Sequence, residues 1–190
     1  MRAAYQIAIG SGIVVGVLWG LKRSLEASGV DVERQLEKAG IDVAAWTKGP
    51  PYYYKPGSDA QIALFQQAAV VAGVPAAWAS DPDFIKIYGE EDGGWVGRPN
   101  YEFGKVANTS HADEWPALWA DWRANLWPAV KSHATGLGQV QPDNIKAYYP
   151  QGLAGIGDPL NEAVGMLRYI KHRYGDPTKA QAFHVVHGWY

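Results

Sequence analysis

The chain has 190 residues, enough for one domain with a proper core plus a small extra element and too few for two full domains. With 17 Lys and Arg against 19 Asp and Glu and no basic cluster, its charge gives no footing for nucleic acid. No cysteine is present, which excludes a disulfide framework, a thiolate metal site and a cysteine nucleophile, and no cofactor is called for. Nine Trp and eleven Tyr are a heavy aromatic load that suits either a core or a surface stacking on flat ligands such as sugar rings.

Ala3 to Leu21 carries no charge, lies between Arg2 and the Lys22-Arg23 pair, and is long enough to cross a bilayer. Gly12, Gly16 and Gly20 form a small-residue stripe that would let two such helices approach closely, so a homo-oligomer is compatible with it. No small-x-small cleavage site follows the apolar run, so it reads as an anchor rather than a signal peptide. Residues 1–23 are therefore expected to be a membrane anchor of undetermined orientation. Residues 24–57 are expected to form a stalk and linker, with Asp31 and Gly40 bounding a polar helix and GPPYYYKPG, 49–57, too rich in proline and glycine for regular helix.

The domain is expected over residues 58–190. Ser58 with Gln61 forms a capping box, and Ile62, Leu64, Phe65, Ala68, Ala69 and Ala72 supply a buried side before Gly73. Asp81-Pro82 starts a helix in which Phe84, Ile85, Ile87 and Tyr88 share a side with Glu91, while Glu90 points away. Glu91 then faces inward at an open helix end before Gly93 and Gly94. Desolvation there would raise its pKa and suit it to general-acid work, although a solvated acidic helix end explains the same residues. Residues 107–128 hold Trp115, Trp119, Trp122 and Trp127 at a spacing that fits a short helix with one aromatic side. Asp158-Pro159 opens a helix with Ala163, Met166, Leu167 and Ile170 as its apolar stripe, and a final helix runs from Pro177 to the end. No alternating strand pattern is found, so the class is mostly α. Five histidines include no HExxH pattern, and His184 with His187 is the one pair on a shared helix face, so no metal site is expected. Ser132, His133 and Asp113 lack any nucleophile elbow.

Four stretches, in order, resemble one family. GLGQVQP at Gly136–Pro142 resembles the GLMQV-x-P motif of lytic transglycosylases with the goose-type or soluble-lytic-transglycosylase lysozyme-like fold. EDGG at Glu91–Gly94 resembles the family's catalytic E-S-G-G, and Gly157–Gly175 resembles the helix that closes its site. The terminal HGWY is similar to the end of such domains in phage tail tape-measure proteins. The resemblance spans Ser58 to Tyr190. It implies a lysozyme-like fold and cleavage of the β-1,4 bond between N-acetylmuramic acid and N-acetylglucosamine, with Glu91 as the single catalytic residue and a 1,6-anhydro product.

It also implies that Gln139, with the backbone of Thr135, Gly136 and Leu137, holds the sugar, and that Tyr169 lines the cleft. Tyr101 and Tyr148 are cleft candidates on aromatic character, with packing as their alternative. The implied partner is peptidoglycan, in a phage virion, a wall-opening entry machine or a bacterial secretion assembly. The catalytic domain would be extracytoplasmic or virion-associated. Gly138 stands where the family has Met, Glu162 or Asn161 where it has Asn, and Phe183-His184 where it has Tyr-Asn. The interval from Glu91 to Gln139 is longer than the family's, and the Trp-rich segment looks inserted. A lysozyme-type hydrolase using Asp92, Glu102 or Asp113 to activate water, and a non-catalytic glycan-binding virion protein, are the alternatives.

Overall fold

The computed structural model describes residues 53–189. The expected membrane anchor, its glycine stripe and the stalk helix lie outside the described residues, and among those described no helix is long and apolar enough to cross a membrane. The class is mostly α. Helices α1 (Asp59–Ala72), α2 (Pro82–Glu91), α3 (Trp115–Arg123), α4 (Pro142–Tyr148), α5 (Pro159–Arg173) and α6 (Pro177–His187) are joined by short 3-10 turns and a few isolated bridges.

Three of these six helices begin the same way. Asp81, Asp158 and Asp176 each cap a helix whose first residue is proline, with a side-chain oxygen accepting from the backbone N–H of Asp83, Asn161 and Lys179 at 2.8 Å in each case. Such a cap is worth about 1 kcal/mol, and the proline gives up an N–H that no helical partner could use. At α1 the box closes through Ser58, whose Oγ accepts from Gln61 N, while Gln61 Oε1 accepts from Gly57 N. The expected stripe of α1 differs at one place: Gln61 is fully buried and donates to the carbonyl of Ala79, and Ile62 is only half-buried.

α5 is the central helix. Asn161 through Leu167, then Tyr169 and Ile170, are buried, as befits a helix covered by α1 on one side and α4 and α6 on others. The core divides into two clusters. One joins α1, α2 and α5 and centres on Phe65, which meets the rings of Phe84 and Tyr88 edge-on at 4.8 and 5.2 Å. The other is built by the Trp-rich segment. Trp115, Trp119 and Trp122 repeat at helical spacing on α3 and are buried with Phe103, Ile145, Tyr149 and Ile156, so this segment carries a core of its own. Trp127 falls beyond the end of α3 and folds back to stack on Trp122 at 5.6 Å.

The domain reaches further forward than Ser58. Tyr54, read as linker from its proline and glycine neighbours, is buried in the first cluster, and its N–H donates to the Gly94 carbonyl at 2.8 Å.

Candidate active site

α2 delivers Glu91. Phe84, Ile87 and Tyr88, at positions i, i+3 and i+4, are wholly buried, and this rotation turns Glu91 toward the protein: its side chain is 14% exposed against 40% for Glu90. The chain then reverses through Gly93 and Gly94, both at positive φ. A Cβ on Gly94 would lie 2.2 Å from the Tyr54 carbonyl oxygen, which also accepts the Tyr88 hydroxyl at 2.8 Å, so only glycine fits this turn.

Burial, with the Glu90 carboxylate second, pushes the Glu91 carboxyl up to about 8. The final helix contributes a neighbour. His184 on α6 bridges the two glutamates, Nδ1 lying 3.1 Å from Glu90 Oε2 and Nε2 3.4 Å from Glu91 Oε1. The sequence pairs His184 with His187 and sets it, after Phe183, where the resembled family has Tyr-Asn; the apolar pattern of α6 itself does not name α2 as its neighbour. Tyr174, whose hydroxyl is raised to about 12 chiefly by burial, lies within electrostatic reach of Glu91.

Glu91 opens onto a groove of about 630 Å³. Trp95, Tyr101 and Trp115 give it aromatic surface, Arg98 gives it a cation, His111 an imidazole, and Asn100 and Gln139 supply amides. Glu91 is the one carboxylate among the lining residues. Of the three acids considered as a second carboxylate, Asp92 is buried against Gly94 N, with burial raising its pKa well above the ordinary range. Glu102 is bonded by Lys105 at 2.7 Å, which holds it low, and Asp113 is exposed; none of the three lines the groove. Among the described residues no group of three His, Asp or Glu is placed to hold a metal ion.

Gln139 lines the same groove from a folded loop. Its backbone sits at φ 44°, a conformation that costs a non-glycine residue about 1 kcal/mol and that survives because the side chain is fastened. Its Oε1 accepts from Asn100 Nδ2 at 3.2 Å, and its Nε2 donates to the carbonyls of Arg98 and Gly136 at 3.1 and 3.2 Å. The amide therefore clamps the 98–100 wall to the 135–140 loop, leaving one acceptor site on Oε1.

Thr135, Gly136 and Leu137 are buried behind the groove rather than on it. Thr135 Oγ1 donates to Arg98 O, Gly136 N–H goes to the same carbonyl, and Leu137 N–H goes to Glu162. Their backbone donors are used up inside the protein, so they shape the groove wall instead of reaching a sugar in this arrangement. Tyr148 and Tyr169 pack on each other, 6.0 Å between ring centres, with the Tyr169 hydroxyl accepting from Arg173, and neither lines the groove. Tyr101 does line it, 79% exposed.

Glu162 holds the walls together. Fully buried on α5, it accepts the N–H groups of Gly97 and Leu137 on Oε2, both at 3.0 Å, and that of Gly157 on Oε1 at 2.7 Å. Burial pushes its carboxyl up to about 7 against the pull of these three donors. Gly136 leaves room for it, since a Cβ there would meet Oε2 at 2.6 Å. One buried carboxylate thus ties three loops, two of which carry the groove residues Arg98 and Gln139.

The chain matches no family model, no curated protein and no solved structure.

Proposed function

We propose that the domain is a peptidoglycan lytic transglycosylase with a lysozyme-like helical fold, cleaving the β-1,4 bond between N-acetylmuramic acid and N-acetylglucosamine. The observation that carries this reading is a lone, largely buried carboxyl lining an aromatic groove, raised to about 8 and so protonated at neutral pH. Glu91 gives its proton to the glycosidic oxygen as the bond to C1 breaks. The resulting carboxylate then takes the proton of the sugar's own 6-hydroxyl, whose oxygen closes on C1 to form the 1,6-anhydro ring, and the acid is restored. No second carboxylate is required, in keeping with a groove that offers none; a hydrolase would place one about 5–10 Å from the acid.

Trp95, Tyr101 and Trp115 provide faces for pyranose rings, and the remaining acceptor of Gln139 is available to an N-acetyl or hydroxyl donor. Such an enzyme works on the wall, outside the cytoplasm or on a virion. Anchorage through residues 3–21 would fit local wall opening during phage entry or assembly of a secretion machine. The test is digestion of purified sacculi with mass spectrometry of the products. Anhydro-muramic ends from the native protein and none from Glu91→Gln are expected. Exclusively reducing ends would identify a lysozyme-type hydrolase, and undiminished lysis by Glu91→Gln would end the assignment.

A further inference from the structure

A second hollow, of about 280 Å³, shares no lining residue with the Glu91 groove. Trp127 is its apolar wall, and Asn125, His133, Gln141, Asp143 and Lys146 surround it. The Trp-rich segment supplies Asn125 and Trp127 to this place, residues 133–146 supply the rest, and the proposed reaction makes no use of it.

The hollow is built rather than incidental. Asn125 turns the chain at φ 62°, again in the left-handed region, and its Oδ1 accepts from the Trp127 indole N–H at 3.2 Å. Trp122 stacks on the indole, 5.6 Å between centres and 8° from parallel, which supports the ring from one side. His133 is held by the Pro128 carbonyl at 2.8 Å, and Gln141 by Ser132 Oγ at 2.9 Å and His133 N at 3.2 Å. Asn125 is exposed at the rim, and the Asp143 carboxylate, 96% exposed on its side chain, has Lys146 3.4 Å away. One negative and one positive group beside a fixed indole favour a neutral polyhydroxylated ligand over an anion or cation. A pyranose answers this description: its C–H face stacks on the indole while its hydroxyl and acetamido groups meet the amides and the carboxylate. The volume lies just below the range that takes drug-sized molecules, which fits a single ring.

Gln141 on this hollow and Gln139 on the groove are two residues apart, and two extended residues span at most about 7 Å, so both open from one loop. We infer that the Trp127 hollow is an accessory glycan-binding site that takes one N-acetylaminosugar ring of the wall polymer and keeps the strand on the enzyme. This builds on the proposed function by saying where the polymer is retained, while the binding itself needs no catalysis.

The experiment uses the full chain carrying Glu91→Gln and a soluble N-acetylglucosamine tetramer, followed by nuclear magnetic resonance of the indole N–H groups. The Trp127 signal is expected to shift with tetramer, and Trp127→Ala to weaken binding to purified sacculi about tenfold, the scale of one lost stacking contact. With Glu91 intact, Trp127→Ala should cleave short soluble glycans at the native kcat. Asp143→Ala, at an exposed side chain, serves if Trp127→Ala fails to fold, and is expected to weaken sacculus binding severalfold. Tetramer that perturbs only residues around the Glu91 groove, or folded variants that bind sacculi as the parent does, would overturn the inference. Trp127-dependent binding without any wall cleavage would instead leave this site standing and remove the transglycosylase.

Discussion

Replacing Glu91 by Gln should make the protein more stable, and by an amount that grows with pH. The folded carboxyl titrates near 8 whereas the unfolded one titrates at 4.5, so between those values the folded state holds the extra proton and loses stability as pH rises. Each pH unit in that window costs 1.36 kcal/mol, so from pH 5 to pH 7.5 the native protein gives up about 3 kcal/mol that the non-ionising Gln variant keeps. For a domain of this size that is roughly 10 °C in Tm. The assay is thermal unfolding of both proteins at the two pH values. Taking the difference between pH values removes any fixed packing change, and repeating the pair on a His184→Gln background takes the neighbouring imidazole out of the comparison. A Tm difference that does not change with pH would show Glu91 ionising as a solvated carboxylate, and the argument for a proton donor would fail with it.

Glu90→Gln removes the second of the two causes that raise Glu91, so the alkaline limb of the lysis-versus-pH curve should move to lower pH; a superposable curve would show that the two carboxylates do not interact. Glu162→Ala strands three buried N–H groups at about 1–3 kcal/mol each and should leave little folded protein. Glu162→Gln keeps the shape but turns an amide N–H₂ toward at least one donor, costing about 1–3 kcal/mol in urea unfolding, and a neutral result would contradict the three-loop tie. His184→Ala frees one oxygen of Glu91, and kcat on a soluble glycan should fall roughly ten- to a hundredfold with KM little changed. His184→Gln should recover part of that loss, and equal defects in both variants would speak against a positioning contact.

Local signals carried the helical frame. Three Asp-Pro pairs mark helix starts because the carboxylate and the missing N–H both suit a first turn, and the Phe84, Ile87, Tyr88 repeat is enough to turn Glu91 inward and Glu90 outward. What the sequence hides is contact between distant segments. Glu162 accepts from donors 65 and 25 positions away, and nothing around it foretells that Gly97 and Leu137 converge there. Thr135 to Leu137 look like ligand holders from their motif, yet the loop folds inward onto Glu162 and Arg98 and spends their N–H groups there. His184 meets Glu91 only because α6 packs on α2, a placement decided by the whole core.

The bond from Tyr54 to Gly94, with the Tyr88 hydroxyl on the same tyrosine's carbonyl, fixes the leading segment to the turn directly after the acid. Any tether that residues 1–52 provide is therefore fastened beside Glu91 and not at a remote corner, so a pull on it is felt first there. An excised version beginning at Ser58 would lose that fastening, and one beginning ahead of Tyr53 would retain it.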